Sequence, residues 1–133
     1  MKHDSLRIFN AFATQKNFKL KQIDINAAYL NANLTEEIYM KLPEGHPDYN
    51  NKFWKLNKAI YGLKQSGREW NKEINNFLIN LGFKQLLSEP CLYIRRNNQN
   101  SINCILGVYV DDILISDKSK EINNKKNRIK NKF

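Results

Sequence analysis

One stretch constrains this chain more than any other. Ile102 to Val110 and Ile113 to Ser116 are apolar runs, and only Asp111-Asp112 separates them. Runs this apolar read as strands buried inside a sheet, and so short a break predicts a hairpin. The pair is not a preferred turn sequence, because two-residue hairpin loops favour Asn-Gly or Asp-Gly. Two adjacent like charges at ~4 Å cost on the order of 1 kcal/mol in water and ~4 kcal/mol at an effective dielectric of 20. A divalent cation would relieve that repulsion, and hard oxygen ligands suit Mg²⁺. On these residues alone a solvated turn carrying two incidental acids explains the pattern equally well.

The rest of the chain fits a mixed fold. With 133 residues it is one domain at most, and its 41% hydrophobic and 26% charged content is globular. No apolar run approaches the ~18–20 residues of a membrane span, and no signal-peptide core follows Met1, so a secreted or membrane protein is not expected. Leu6, Phe9, Phe12 and Ala13 mark one face of a helix capped by Asp4 or Ser5 and stopped near Asn17. Phe18–Ile25, Ile38–Leu42, Lys52–Lys58 and Cys91–Ile94 read as strands. Ala27–Leu30 is a short turn or helical piece, Pro43–Asn51 a loop, and Asn97–Asn100 a turn. The clearest helix runs from about Gly67 to Leu81, with Trp70, Ile74, Phe77, Leu78 and Leu81 in one stripe and Gly82 as its stop. From Lys118 onward seven basic residues face Glu121 alone, with a thin apolar stripe of Ile122, Ile129 and Phe133. A weakly docked helix and a frayed tail both fit that pattern.

The net charge of +9 favours a polyanionic partner, most often nucleic acid. Asn, Lys and Ile are all abundant, and AT-rich codons explain part of the lysine. Cys91 and Cys104 lack a CxxC pattern or a histidine pair, so they read as reduced thiols rather than zinc ligands. Gly62-Leu63-Lys64-Gln65-Ser66-Gly67 has the glycine spacing of a phosphate loop, but Arg68-Glu69 replaces the required Lys-Ser/Thr, which excludes a Walker A site. Its glycines instead suggest a tight loop that brings backbone close to a ligand, or an ordinary strand-to-helix connection. Asp24, near the end of an apolar strand, is a second carboxylate position. Alone it is a common turn former. Three carboxylates on neighbouring strand ends could hold two metals for in-line phosphoryl transfer.

These segments occur in a familiar order. Gln22-Ile23-Asp24-Ile25-Asn26-Ala27-Ala28-Tyr29-Leu30 resembles the first catalytic motif of reverse transcriptases. Ala59-Ile60-Tyr61-Gly62-Leu63-Lys64-Gln65-Ser66-Gly67 resembles the YGLKQ motif of copia-type retrotransposons, and Tyr109-Val110-Asp111-Asp112 resembles their YVDD box. Glu37–Met40 and Leu42–Gly45 are similar to the family's intervening sequence. The resemblance covers the chain from about Leu6 onward.

The resemblance implies an α+β fold, with a right-hand polymerase palm-like antiparallel sheet backed by helices. It implies one partial reverse transcriptase domain over 1–133, with a palm core over 18–117 and a basic tail over 118–133. Asp24, Asp111 and Asp112 would be catalytic. Those three and the Ile25 carbonyl would bind two Mg²⁺ or Mn²⁺ ions. Ala28, Tyr29 and Gln65 would meet the incoming dNTP, Tyr29 as a steric gate, although core packing also explains Tyr29. Tyr109, Lys64 and Gly67 would meet an RNA or DNA template-primer.

The family's basic fingers segment, thumb, connection and ribonuclease H regions have no counterpart in these residues, so the fingers are expected to be incomplete and the thumb absent. Lys64, Arg68 or the basic tail could take over part of triphosphate binding. The expected function is RNA-directed DNA polymerisation. The alternative is an inactive truncated or domesticated remnant that only binds nucleic acid, so enzyme activity of this segment stays open. The remainder of a Pol polyprotein is an expected partner, a membrane is not, and the family places the protein in the cytoplasm, the nucleus or both.

Overall fold

The structure, a computed structural model, describes residues 1–49, 52–118 and 121–133. Helix α1 spans His3–Gln15, and β1 spans Lys19–Asp24. A 3₁₀ turn covers Ala28–Asn31. Strands β2 (Asn33–Lys41) and β3 (Phe53–Lys58) lead to helix α2 (Ser66–Asn80). Then come β4 (Lys84–Gln85), β5 (Leu92–Arg96), β6 (Ile102–Tyr109), β7 (Asp112–Asp117) and helix α3 (Ile122–Lys130). Asn50 and Asn51 of the expected loop, and Ser119 and Lys120 of the expected tail, lie outside the described residues.

Among the described residues the strands make one five-stranded sheet, ordered β1-β7-β6-β5-β4, and a separate β2-β3 ribbon. Every pairing is antiparallel. Strands β4 to β7 follow one another as a meander. Strand β1 pairs with the distant β7, and that one non-local pairing brings Asp24 to the end of the sheet where β6 turns into β7. The fold is thus the mixed helical and antiparallel architecture expected from the sequence.

The sheet buries both faces. Leu92, Ile94 and Ile105 alternate onto one face and pack with Phe9 of α1. Ile23, Tyr93, Cys104, Leu106, Val108, Ile113 and Ile115 alternate onto the other. There they join Trp70, Ile74 and Leu78 of α2 with Ile122 and Ile129 of α3. Period-2 alternation with apolar residues on both sides of the pleat is why the central strands read as continuous apolar runs.

The structure moves several sequence boundaries. The β6-β7 turn is centred on Val110-Asp111, one residue before the expected Asp111-Asp112, and Asp112 is already in β7. Strand β2 begins at Asn33, well before Ile38. Its first half, Asn33 to Glu37, is mostly exposed and shows no apolar alternation, whereas Ile38 and Met40 alternate with exposed neighbours as expected. Strand β4, two residues long, gave no sequence signal. Helix α3 is firmly seated: Ile122 and Ile129 are buried, and Phe133 packs edge-on against Trp70 and Phe77 at 5.0 and 5.2 Å. The expectation of a frayed or weakly docked tail is therefore replaced by a helix that shares the core. Burial of Lys125 beside the buried Asp117, with which it forms an ion pair, makes this possible.

Candidate active site

The site forms at the end of the sheet where β1, β6 and β7 meet. Asp24 stands directly across from Asp112 in the β1-β7 register, and Tyr109 stands across from Asp112 on the other side. Directly opposed residues in an antiparallel pair have Cβ atoms ~4.5–5.5 Å apart, so the two carboxylates repel. The Gln22 side-chain amide donates to Asp112 Oδ1 at 2.8 Å and offsets part of that repulsion. The Ile25 N–H donates to the Asp111 carbonyl at 2.9 Å, extending the ladder into the turn.

The turn is held in a costly conformation. Val110 has φ of 52°, which is unfavourable for a β-branched residue. A positive φ at the first central residue is what a two-residue hairpin needs to match strand twist. The Trp70 indole N–H donates to the Val110 carbonyl at 2.9 Å, so α2 fixes this turn from below. Trp70 is itself clamped by Phe133 from the C-terminal segment.

Asp111 points away from the sheet row, toward the loop before α2. Its Oδ2 accepts the Tyr61 hydroxyl at 2.7 Å, and its Oδ1 is buried without a hydrogen-bond partner among the described residues. The Tyr61 ring lies against Tyr29, with centroids 4.4 Å apart. The hydrogen bond to Asp111 is the main cause that pushes the Tyr61 hydroxyl pKa up to about 12. Slight burial and the charges of Asp111, Tyr29 and Asp24 act in the same direction. Gly62 holds the loop's φ at +97°, where any side chain would be strained, and Ser66 Oγ closes it by donating to the Ile60 carbonyl at 2.5 Å.

The other residues singled out in the sequence divide into two groups. Ala28 is fully buried at the start of the 3₁₀ turn, and Tyr29 is half-buried with its hydroxyl facing Gly67. Gly67 has no positive φ, and an added Cβ would meet only the Tyr29 hydroxyl at 3.8 Å, so a glycine is not required there for backbone reasons. Tyr109 is exposed beside Asp112. A cavity of about 220 Å³ is lined by Tyr29, Gly67, Trp70, Val108, Tyr109 and Val110 among others, so these lie around one space. Gln65 and Lys64 sit apart. Gln65 donates to Glu36 at 3.2 Å, and Lys64 lines a shallow depression with Glu36, Gln65 and Arg68.

Arg68 is engaged by Glu36 at 3.0 Å and by Glu69 at 3.1 Å. Helix α3 packs on the sheet face opposite the Asp24-Asp112 row, so its basic residues do not line this site. Sequence reasoning assigned no role to Tyr61, Gln22 or Trp70, although Tyr61 lies within the quoted YGLKQ-like run.

Asp24, Asp111, Asp112 and the Ile25 carbonyl are hard oxygen donors, as Mg²⁺ or Mn²⁺ prefers. Among these donors, Asp111 Oδ1 is buried without a hydrogen-bond partner among the described residues, and a buried unsatisfied oxygen is costly. By the chemistry of its donors, rather than by the present convergence of the side chains, the set suits a divalent metal. Among the described residues, no three acidic, histidine or cysteine groups converge closely enough to hold one ion. Asp111 is turned toward Tyr61 while Asp112 is turned toward Gln22.

A model of the reverse transcriptase (RNA-dependent DNA polymerase) family matches residues 1–133. The chain belongs to that family. It is similar to the retrovirus-related Pol polyprotein from transposon TNT 1-94 of Nicotiana tabacum, at 38% identity over 90% of this chain and 9% of that protein. It is also similar to the Pol polyprotein from transposon RE1 of Arabidopsis thaliana, at 37% identity over 87% of this chain and 8% of that protein. The truncated transposon Ty1-A Gag-Pol polyprotein of Saccharomyces cerevisiae matches at 35% identity over 92% of this chain and 10% of that protein. These are the copia-type relatives that the motifs implied, and the chain spans about a tenth of their length. No solved structure matches it significantly. No helix among the described residues is long and apolar enough to cross a membrane.

Proposed function

We propose that this chain is the palm-like catalytic segment of a copia-type RNA-directed DNA polymerase. The observation that carries this reading is the placement of Asp24 opposite Asp112, with Asp111 in the adjoining turn. Strand pairing between distant parts of the sequence thus collects carboxylates from two family-like motifs at one sheet end. Asp24, Asp111, Asp112 and the Ile25 carbonyl would hold two Mg²⁺ or Mn²⁺ ions. When bound, these activate the primer 3′-hydroxyl and neutralise charge on the transferring phosphate and departing pyrophosphate.

The protein's own part is to position. Tyr29 rests against Tyr61, which bonds Asp111, and its rigid ring would exclude a 2′-hydroxyl. Tyr109 offers an exposed ring next to Asp112 for the primer end. Gly67 leaves open the cavity between Tyr29 and Trp70. Gln65 and Lys64, which lie apart toward Glu36, would act on the template side. RNA or DNA template-primer and dNTP are the proposed ligands, and the rest of a Pol polyprotein is the proposed covalent partner.

Primer extension on an RNA template with Mg²⁺ or Mn²⁺ tests the reading. Incorporation is expected from the wild-type chain and not from Asp111→Asn, with both melting cooperatively. Equal incorporation by the two would overturn it. Folded wild type that incorporates nothing but binds nucleic acid would favour the remnant reading, to which the spread of the three carboxylates also points.

A further inference from the structure

The Asp111 carboxylate is held asymmetrically. One oxygen, Oδ2, accepts the Tyr61 hydroxyl at 2.7 Å, while Oδ1 is buried and has no hydrogen-bond partner among the described residues. A buried carboxylate oxygen left unsatisfied costs free energy unless something in the working state satisfies it. The Tyr61 ring, although half exposed, rests on Tyr29 at 4.4 Å and is carried by the Gly62 loop, which Ser66 closes onto the Ile60 carbonyl. The turn beneath Asp111 is fixed independently by Trp70. The backbone and one carboxylate oxygen of Asp111 are therefore both set, and the direction of the other oxygen follows.

We propose that Tyr61 is a positioning residue that holds Asp111 by Oδ2 and so presents Oδ1 to a divalent cation. This inference rests on the polymerase reading above. It gives Tyr61 a part that the sequence did not assign. A partner that orients a metal-ligating carboxylate typically matters by ~10–100-fold in metal affinity when removed. Because the same ring touches Tyr29, Tyr61 also ties the nucleotide-side ring to the carboxylate.

The test is Mn²⁺ affinity, read as free Mn²⁺ by electron paramagnetic resonance, with no nucleotide or primer present. The chains compared are wild type, Tyr61→Phe, Tyr61→Leu and Asp111→Asn, with Tyr39→Phe as an exposed control on β2. Tyr61→Phe keeps the ring against Tyr29 and removes only the hydroxyl. The expected result is wild-type binding that Asp111→Asn abolishes, Tyr61→Phe weakens by about 10-fold or more, and Tyr39→Phe leaves unchanged. Binding by Tyr61→Phe as tight as wild type, with only Tyr61→Leu weakened, would show a packing role and overturn the inference while the polymerase reading survives. Tighter binding by Tyr61→Phe would mark Tyr61 as a competitor and also overturn it. Wild type that binds Mn²⁺ no better than Asp111→Asn would overturn both.

Discussion

Val110 shows how a residue can sit against its own preference. A β-branched side chain at a φ of 52° costs roughly 1–2 kcal/mol. Trp70 and the flanking strands hold it there. Val110→Gly is therefore expected to stabilise the chain by up to about 1 kcal/mol, since glycine's extra unfolded-state entropy offsets part of the relief. Urea unfolding midpoints check this, and a clearly lower midpoint would contradict it. The sequence announced two acids in the turn but not that the turn begins at a valine, because a valine in an apolar run reads as strand.

The two cysteines make a second residue-scale contrast. Burial first, then the nearby Asp117 charge, push the Cys104 thiol up to about 12 from its ordinary value of 9.0. The raised value favours the neutral thiol in the folded chain. Its contribution to stability is present below pH 9 and is lost as pH rises toward 12. At pH 8 the folded chain should label at the half-buried Cys91 well before Cys104. Equal labelling rates in the folded chain would contradict this. Both thiols were legible as unpaired, but their different burial depends on where along the sheet each one sits: Cys104 lies within the central strand β6, and Cys91 lies just before β5 on the wall of the cavity beside Trp70.

At the scale of elements, α3 departs most from what its composition suggests. A nine-residue helix so rich in asparagine and lysine has little reason to dock. It docks because Ile122 and Ile129 reach the core and Lys125 enters with Asp117 as its partner. Burying each isoleucine contributes ~1.5–3 kcal/mol. Removing one member of a buried pair costs ~3–5 kcal/mol, whereas replacing both is often neutral. Lys125→Met should therefore destabilise the chain by up to about 3–5 kcal/mol, less to the extent that Asp117's further interaction compensates its charge, and Asp117→Asn combined with it should recover part of the loss. Thermal or urea unfolding of the single and double variants decides this, and additive losses would contradict it. No spacing rule reveals that a lysine in a polar tail pairs with the last residue of an apolar strand. By contrast, α1, α2 and the β6-β7 hairpin were legible, because their apolar periodicity is strong and locally determined.

At the scale of the whole molecule, charge and topology act separately. The net charge of +9 favours association with a polyanion, and releasing counterions makes such binding salt-dependent. Affinity for a single-stranded RNA should fall steeply between roughly 50 and 200 mM salt. Filter binding across that range checks it, and salt-insensitive binding would contradict it. The candidate site, by contrast, exists only through topology. Asp111 and Asp112 adjoin in any fold, but Asp24 reaches them only because β1 pairs with β7. Motif order implied that meeting through family resemblance, while the register gives it a physical form.

Asp24 therefore carries the most direct test of the central claim. Single-nucleotide incorporation on an RNA template with Mg²⁺ or Mn²⁺ should be compared between wild type and Asp24→Asn at matched thermal stability. The account predicts measurable wild-type incorporation that falls by at least about a hundredfold in the variant, the scale expected when a key electrostatic group is removed. Incorporation by Asp24→Asn at the wild-type rate would contradict it.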